Sequence, residues 1–172
     1  EEIADVFGDL LRKGELPLRV THNDTKLNNV MIDLATGKGI CVVDLDTVMP
    51  GLAMNDFGDA IRFGASTALE DEKDLSKVSC NMELYEVYVK GFLESCGDKL
   101  TRKEIELLPM GAKVMTYECG MRFLTDYLEG DHYYKIDREE HNLDRCRTQF
   151  KLVKDMEQKW DIMQEIVHRY QK

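Results

Sequence analysis

Two aspartates and one asparagine have the residue types and spacing that phosphoryl transfer requires. Asp24 follows His22 and Asn23, Asn29 comes five residues later, and Asp44 lies 20 residues after Asp24 at the end of an apolar run. The reaction needs a carboxylate to take the proton of the attacking hydroxyl and hard oxygen ligands for Mg²⁺. We therefore expect Asp24 to be the base, and Asn29 and Asp44 to be the metal ligands.

A β-hairpin is predicted between these residues and would bring them together. Residues 30–33 and 40–45 have strand character, with turn residues at 35–39 between them. The second strand is β-branched and apolar, so we predict that it is buried. Two strands joined by a tight turn bring their outer ends together, so Asn29 and Asp44 would share one cation although 15 residues separate them.

The order of these residues is that of a kinase catalytic loop. His22 to Asn29 fits H-x-D-x-x-x-x-N, and the hairpin and Asp44 follow at the expected distance. His22 is predicted to orient the loop by a hydrogen bond. The alternative is that Asp24 and Asn28 or Asn29 cap a turn while Asp44 merely ends a strand. That alternative would have to produce the order and the spacing by coincidence.

The rest of the chain is predicted to be helical. Apolar periodicity indicates helices over residues 2–13 and 81–96, one helix from the capping box Thr101–Glu104 to about Leu128, and one or two helices over 138–170. Asp56 would cap a further helix that ends near Gly64, and residues 67–79 would be a loop or a short helix. The sequence therefore predicts a single domain over residues 1–172, of the α+β class and predominantly helical.

Composition excludes several classes of function. The net charge of −10 argues against a nucleic-acid partner, and no apolar stretch approaches the ~20 residues of a membrane helix. The chain opens with Glu1-Glu2, which is not a signal peptide, and without Met, which suggests a piece of a longer protein. The five cysteines have no C-x-x-C spacing, which favours reduced thiols and a cytoplasmic location over disulfides or zinc.

Longer runs in the sequence resemble the aminoglycoside phosphotransferase superfamily, which includes the choline kinase-like enzymes. The runs are THNDTKLNNVMID, VVDLDTVMPG and DFGDAIRFG, and the later run ECGMRFLTDYLEGD is most similar to the N-acetylhexosamine 1-kinase branch. The resemblance covers essentially the whole chain, but only the C-terminal half of such an enzyme. It implies a protein-kinase-like C-terminal lobe, and the transfer of phosphate from ATP to the anomeric hydroxyl of N-acetylglucosamine or N-acetylgalactosamine.

The resemblance also implies roles for individual residues. Asp24 would be the base and Asn29 and Asp44 would bind Mg²⁺, while Asp46 would either bind a second metal or support the first. Lys26 stands where protein kinases carry a Lys and would touch the transferring phosphoryl group, although many antibiotic kinases carry a His there. Asp56 would support the catalytic loop.

Sugar contacts are predicted for a further set of side chains. Arg122 is expected on a largely buried helix, where either the sugar or Asp126 would be its partner. Aromatic side chains commonly flank sugars, and the candidates here are Phe63, Tyr133 and Trp160. Each of the three aromatics would equally suit core packing.

Features that are missing from the sequence suggest that a partner lobe is needed. There is no G-x-G-x-x-G loop and no V-A-I-K-type lysine, so the N-terminal nucleotide-binding lobe would be absent and the chain alone inactive or nearly so. Three alternatives stay open. In the first, the substrate would be choline, ethanolamine, homoserine, a thiosugar or an aminoglycoside. In the second, Asp44-Leu45-Asp46 would be the D-x-D motif of a glycosyltransferase. In the third, the chain would be a non-catalytic binding module.

Overall fold

The computed structural model describes residues 6–171, and within that range the chain is predominantly helical. The α-helices are α1 (Val6–Arg12), α2 (Ala53–Gly64), α3 (Met82–Cys96), α4 (Arg102–Glu106), α5 (Leu108–Glu129), α6 (His141–Gln158) and α7 (Trp160–Tyr170). The strands are β1 (Arg19–Thr21), β2 (Val30–Ile32), β3 (Gly39–Val42) and β4 (Met49–Gly51). This composition agrees with the predicted α+β class. No helix among the described residues is both long and apolar enough to cross a bilayer.

The four strands form two antiparallel pairs, one nested inside the other. β1 pairs with β4, so that Thr21 lies opposite Met49, and β2 pairs with β3, so that Val30 lies opposite Val42. A Cβ atom on Gly51 would meet Thr21 Oγ1 at 2.3 Å, so the close approach of β1 and β4 requires glycine there. The β1–β4 pair thus closes the segment that contains both the Asp24 loop and the hairpin.

Helix α5 is the centre of the helical body, because it packs against both α2 and α6. Two glycines allow α2 and α5 to approach closely: a Cβ on Gly58 would meet the carbonyl oxygen of Gly111 at 2.3 Å. Next to this contact, Phe57 of α2 packs edge to face on Tyr85 of α3, with ring centroids 6.0 Å apart. Both rings are almost completely buried, so the pair stabilises the junction of these helices.

Several helix predictions are confirmed. Helix α3 buries Tyr85, Val89 and Leu93 on the predicted face, and the Asn81 side chain caps its first turn. The predicted capping box of Thr101 and Glu104 is present at the start of α4. Residues 67–79 form a loop with a short 3-10 turn over Leu75–Lys77.

Other helix boundaries differ from the prediction. The single helix predicted over residues 101–128 is wrong, because the chain breaks at Leu107 and Pro109 opens a new helix, α5. Over residues 138–170 the structure has two helices, with the break at Lys159. α2 begins at Ala53, so Asp56 is not the helix cap that the sequence suggested. The first helix is described from Val6, and residues 2–5 of its predicted range lie outside the described residues.

The hairpin forms, but the prediction of a buried strand over residues 40–45 is wrong. All four residues of β3 are exposed, including 63% of Ile40 and 50% of Val42. β-Branched residues favour a strand because they pack across to the neighbouring strand, and this preference does not require cover by helices. The pattern therefore predicted the strand correctly and its environment incorrectly.

Candidate functional site

The Asp24 carboxylate lies on the loop that follows β1, where two side chains bind it. Asn29 donates its Nδ2 to Asp24 Oδ2 at 2.8 Å, and Lys26 Nζ lies 3.0 Å from the same oxygen. Partial burial by itself would raise the pKa of Asp24, but the hydrogen bonds from Lys26 and Asn29 outweigh it and hold the pKa below its usual range. Within residues 6–171 every side-chain contact of this carboxylate uses Oδ2, so Oδ1 is available to a ligand.

Asp56 of α2 fastens this loop to the helical body. Its two carboxylate oxygens accept the backbone N–H groups of His22 and Asn23, each at 2.8 Å. Its carbonyl oxygen accepts the Thr25 hydroxyl at 2.5 Å. The role of loop support that was predicted for Asp56 agrees with these bonds. Since Asp56 lies inside the helix, the loop is held by a rigid element.

The loop is also held from the hairpin side. His22 Nε2 lies 3.0 Å from the carbonyl oxygen of Val43, so His22 orients the loop as predicted, and its Nδ1 is buried without a partner among the described residues. Asn23 has a left-handed backbone, with φ of +64°, and donates its amide to the Thr47 carbonyl at 3.0 Å. Asn is one of the few residues that tolerate this conformation, which is often found at functional sites.

The hairpin brings Asn29 next to the start of the Asp44 segment. The backbone N–H of Val43 donates to the Asn29 carbonyl at 2.9 Å, which continues the ladder that pairs Val30 with Val42. Asp44 therefore follows directly on the residue that faces Asn29. Asp44 is exposed and has a left-handed backbone, with φ of +63°. The convergence predicted from the turn geometry is present at the level of the backbone.

Carboxylates crowd together at this end of the hairpin. A hydrogen bond to Asp46 and the negative charge of that residue raise the pKa of Asp44, and the charge of Asp24 adds to the effect. No group of three His, Cys, Asp or Glu side chains in the described part of the chain is positioned to hold a metal ion alone. Mg²⁺ usually takes only one or two carboxylates and completes its shell with phosphate oxygens and water. The donor set thus fits a site that is shared with a phosphate ligand.

A cleft of about 530 Å³ opens beside the Asp24 loop. Its lining comes from the Asp24 loop, the turn at Thr47, α2 and the loop that follows it, α5, residues 133–135 and the start of α6. The lining residues are Asn23, Asp24, Lys26, Asn28, Thr47, Asp59, Arg62, Phe63, Glu70, Met115, Glu118, Cys119, Arg122, Phe123, Tyr133, Tyr134, Lys135 and Arg145. A larger cavity of about 790 Å³ lies between α3, α4 and the end of α7, but it contains none of the predicted site residues. Chemistry therefore favours the smaller cleft as the candidate site.

The sequence analysis missed a buried charge cluster in the wall of this cleft. Arg62 donates to Asp59 Oδ1 at 3.0 and 3.1 Å and to Glu70 at 2.6 Å, and the Arg62 side chain is only 8% exposed. The other oxygen of Asp59, Oδ2, is buried and accepts no hydrogen bond within residues 6–171. A spacing of three residues between Asp59 and Arg62 was the available signal. Glu70 comes from a loop, which no periodicity could have placed.

Arg122 lies at the cleft but differs from its prediction. The residue is exposed and not buried, and its guanidinium lies 5.8 Å from the centroid of the Tyr133 ring and 5.6 Å from that of Tyr134. Asp126 is not its partner, because the Asp126 carboxylate accepts the backbone N–H groups of residues 132–134. The apolar neighbours of Arg122 predicted a buried side chain, but the position is exposed and lies beside the rings of Tyr133 and Tyr134.

The predicted aromatic residues fall in two places. Phe63 and Tyr133 line the cleft, whereas Trp160 is not among its lining residues. Trp160 begins α7 and lies 5.8 Å from the Lys113 ammonium group, so the structure assigns it to packing between helices. The reason is that α7 packs against α3, α4 and α5 and contributes no residue to the cleft. Tyr134 and Phe123, which the sequence did not single out, complete the aromatic wall.

A comparison with protein families agrees with this geometry. Residues 1–80 match the family model APH, the phosphotransferase enzyme family. The match supports the aminoglycoside phosphotransferase superfamily and a phosphotransferase of the kinase-like class. The matched range contains the Asp24 loop, the hairpin and α2, and hence all the candidate base and metal ligands. It does not extend to Arg122, Tyr133 or Trp160, and it does not identify the substrate.

Proposed function

We propose that the protein to which this chain belongs transfers the γ-phosphoryl group of ATP to the anomeric hydroxyl of an N-acetylhexosamine. The observation that carries the proposal is the Asp24 carboxylate, bound through one oxygen by Asn29 and Lys26 at the edge of an open cleft. The match to a phosphotransferase family over residues 1–80 supports the reaction class.

In this mechanism Asp24 orients the attacking hydroxyl and takes its proton. Its pKa is held below the usual range, so it is ionised at neutral pH and ready to accept a hydrogen bond from the hydroxyl. Asn29 and Lys26 fix the carboxylate through Oδ2 and leave Oδ1 for the substrate. Lys26 also places a positive charge near the position of the transferring group, where it would offset developing negative charge.

The charge crowding at the end of the hairpin supports a magnesium site. Asn29 and Asp44 would hold Mg²⁺, with Asp46 as a further ligand or as a support for Asp44. When bound there, the ion would offset negative charge on the β- and γ-phosphates of ATP. Removing the carboxylate of Asp44 would leave Asp24 in place but weaken the binding of the metal–nucleotide complex.

The charges of the cleft favour a neutral substrate over a cationic one. Its lining has four acidic residues, Asp24, Asp59, Glu70 and Glu118, and five basic residues, Lys26, Arg62, Arg122, Lys135 and Arg145. The aromatic faces that would bind a quaternary ammonium group are already covered by guanidinium groups, Arg122 on Tyr133 and Tyr134, and Arg145 on Phe123. Choline or an aminoglycoside would have to compete with these internal cations.

The unused oxygen of Asp59 supports a substrate that carries hydroxyl groups. A buried carboxylate oxygen without a donor is costly, and a sugar hydroxyl would supply the donor. Aromatic side chains next to hydrogen-bonding groups are the usual surroundings of a sugar ring, and Phe63 would provide one here, whereas the face of Tyr133 is already occupied by Arg122. The resemblance of residues 118–131 to the N-acetylhexosamine 1-kinase branch, together with the aromatic ring of Phe63, is the reason for choosing an N-acetylhexosamine over homoserine or ethanolamine.

We also propose that a separate nucleotide-binding lobe completes the active site, so this chain alone should bind substrate but transfer phosphate slowly or not at all. The test is a phosphoryl-transfer assay by ³¹P NMR on the longer protein and on the 172-residue chain. The panel contains N-acetylglucosamine, N-acetylgalactosamine, choline, homoserine and an aminoglycoside.

Formation of a sugar 1-phosphate by the longer protein, with little turnover of the other compounds, is the expected result. Phosphorylation of choline or an aminoglycoside in preference to both sugars would refute the substrate assignment. Full activity of the isolated chain would refute the requirement for a second lobe.

A further inference from the structure

A second cavity of about 350 Å³ adjoins the cleft and shares a wall with it. Arg62, Phe63 and Glu70 line both cavities, and Ser66, Thr67, Ala68, Leu69 and Gln149 complete the second. We call this second cavity the side chamber. It has no role in the mechanism described above. Because Arg62, Phe63 and Glu70 line both cavities, a ligand in the cleft lies next to the side chamber.

Gln149 presents an unsatisfied acceptor at the side chamber. The residue lies on α6 and is 2% exposed, and its Oε1 is buried without a hydrogen-bond partner within the described residues. Buried acceptors in folded proteins nearly always have a donor, so this atom needs one from a ligand or from a water molecule in the side chamber. The ligand group next to Gln149 should therefore carry an N–H or an O–H.

The remaining lining narrows the kind of group. Arg62 has five N–H donors and uses three of them on Asp59 and Glu70, which leaves two for an acceptor on the ligand. Phe63, Ala68 and Leu69 add an apolar surface. A group with one donor, one acceptor and a small apolar end matches this combination, and an acylamino group has all three.

We propose that the side chamber binds the acylamino substituent of the acceptor sugar, with its N–H donated to Gln149 Oε1. This inference rests on the proposed function and extends it, because it makes Gln149 a residue that determines specificity. A sugar without the substituent would still fill the cleft and reach Asp24. It would gain nothing from the side chamber.

Calorimetric titration of the full chain with N-acetylglucosamine and with 2-deoxyglucose tests the proposal without any need for turnover. Gln149→Met keeps the length of the side chain and removes the acceptor. The ratio of the two affinities should fall about tenfold in this variant, the effect of one lost hydrogen bond. Gln158→Met makes the same change at an exposed position of the same helix, and should leave the ratio unchanged.

A second variant keeps the proposal testable if Gln149→Met fails to fold. Ala68→Leu narrows the side chamber from another wall and should also weaken N-acetylglucosamine binding while sparing 2-deoxyglucose. Circular dichroism of each variant identifies any that fails to fold. If Gln149→Met does not fold, the affinities of Ala68→Leu for the two sugars test the proposal instead. Tight binding of N-acetylglucosamine with an unchanged ratio in the folded variants would overturn the side-chamber assignment alone. Binding of neither sugar by the wild-type chain would overturn it together with the proposed substrate.

Discussion

Asn29 donates a hydrogen bond from its side-chain amide to the Asp24 carboxylate at 2.8 Å, and a second to the Asp24 carbonyl at 2.9 Å. The residue proposed as a metal ligand thus positions the residue proposed as the base. One side chain serves both because the hairpin begins directly after Asn29 and its first strand keeps that residue in place. Any change at Asn29 should therefore affect metal binding and base orientation together.

Asp24→Asn should lower kcat by about 10²–10⁴-fold, which is the usual contribution of a general base. Asparagine can still accept the bonds from Lys26 and Asn29, so the free energy of unfolding should change by less than about 1 kcal/mol. Initial rates of phosphate transfer, measured with the chain joined to the proposed nucleotide-binding lobe, and thermal unfolding of this chain measure the two effects. Asp161→Asn, the same change at an exposed position of α7, is the control, and comparable turnover in Asp24→Asn and wild type would refute the base assignment.

The substitution Asp126→Asn should weaken substrate binding in the cleft, although Asp126 is not one of the lining residues. The carboxylate accepts the backbone N–H groups of His132, Tyr133 and Tyr134 and the side-chain amide of Asn142. An amide nitrogen in place of one oxygen would face a donor, so the aromatic segment should loosen and the affinity for N-acetylglucosamine should fall about tenfold. Titration calorimetry checks this, with Glu129→Gln on the same helix as control. Unchanged affinity would mean that Tyr133 and Tyr134 do not contact the sugar.

Gly111→Ala should destabilise the protein by at least about 2 kcal/mol, because the new Cβ would lie 2.2 Å from the Met54 carbonyl oxygen on α2. Helix backbones cannot yield at that point without separating α2 from α5. Gly91→Ala is the matched control, since a Cβ there has no heavy atom within 4 Å, and it should stabilise α3 by about 0.5–1 kcal/mol. Denaturant unfolding measures both. Equal effects of the two substitutions would disprove the close helix contact.

The ion pair between Arg19 and Glu104 should make stability depend on pH. Arg19 donates to both oxygens of Glu104, at 2.9 and 2.7 Å. Burial would raise the pKa of Glu104, but the bonds from Arg19 and the Thr101 backbone outweigh it and lower the pKa below its usual 4.5. The stabilisation is therefore complete above pH 4.5 and is lost as the pH falls through the lower, folded pKa.

Glu104→Gln is the variant that isolates this contribution. At pH 7 it should be less stable than wild type by about 2 kcal/mol, because a hydrogen-bonded charge is lost. The difference should shrink steadily as the solution is acidified below pH 4.5. Urea titrations of both proteins from pH 7 to pH 3 measure it. A difference that stays constant over this range would show that Glu104 keeps an ordinary pKa in the folded state.

Local features of the site could be predicted from the sequence, and features that depend on distant elements could not. The capping box at Thr101 depends on residues that are close in the chain. The hairpin, and the hydrogen bond between His22 and Val43, depend on a turn that joins the two segments. The exposure of β3 and of Arg122 depends on which elements cover them. Apolar periodicity indicates a face, but it does not say what packs on that face.

The charge cluster around Arg62 is a further feature of the cleft that sequence periodicity could predict only in part. Asp59 and Arg62 are three residues apart, which the helix repeat could have paired. Glu70 reaches Arg62 only because the chain turns after α2, and Gln149 approaches from α6. The family resemblance led to Phe63 and Tyr133, but the groups that surround them come from several separate segments of the chain.

Helix α2 holds the Asp24 loop through Asp56 and supplies Arg62 to the wall of the cleft six residues later. At 1.5 Å per residue these two anchor points lie about 9 Å apart along one helix axis. A straight helix keeps these two points at a fixed separation. A substitution that bends α2 would therefore move the Asp24 loop and the Arg62 wall of the cleft relative to each other.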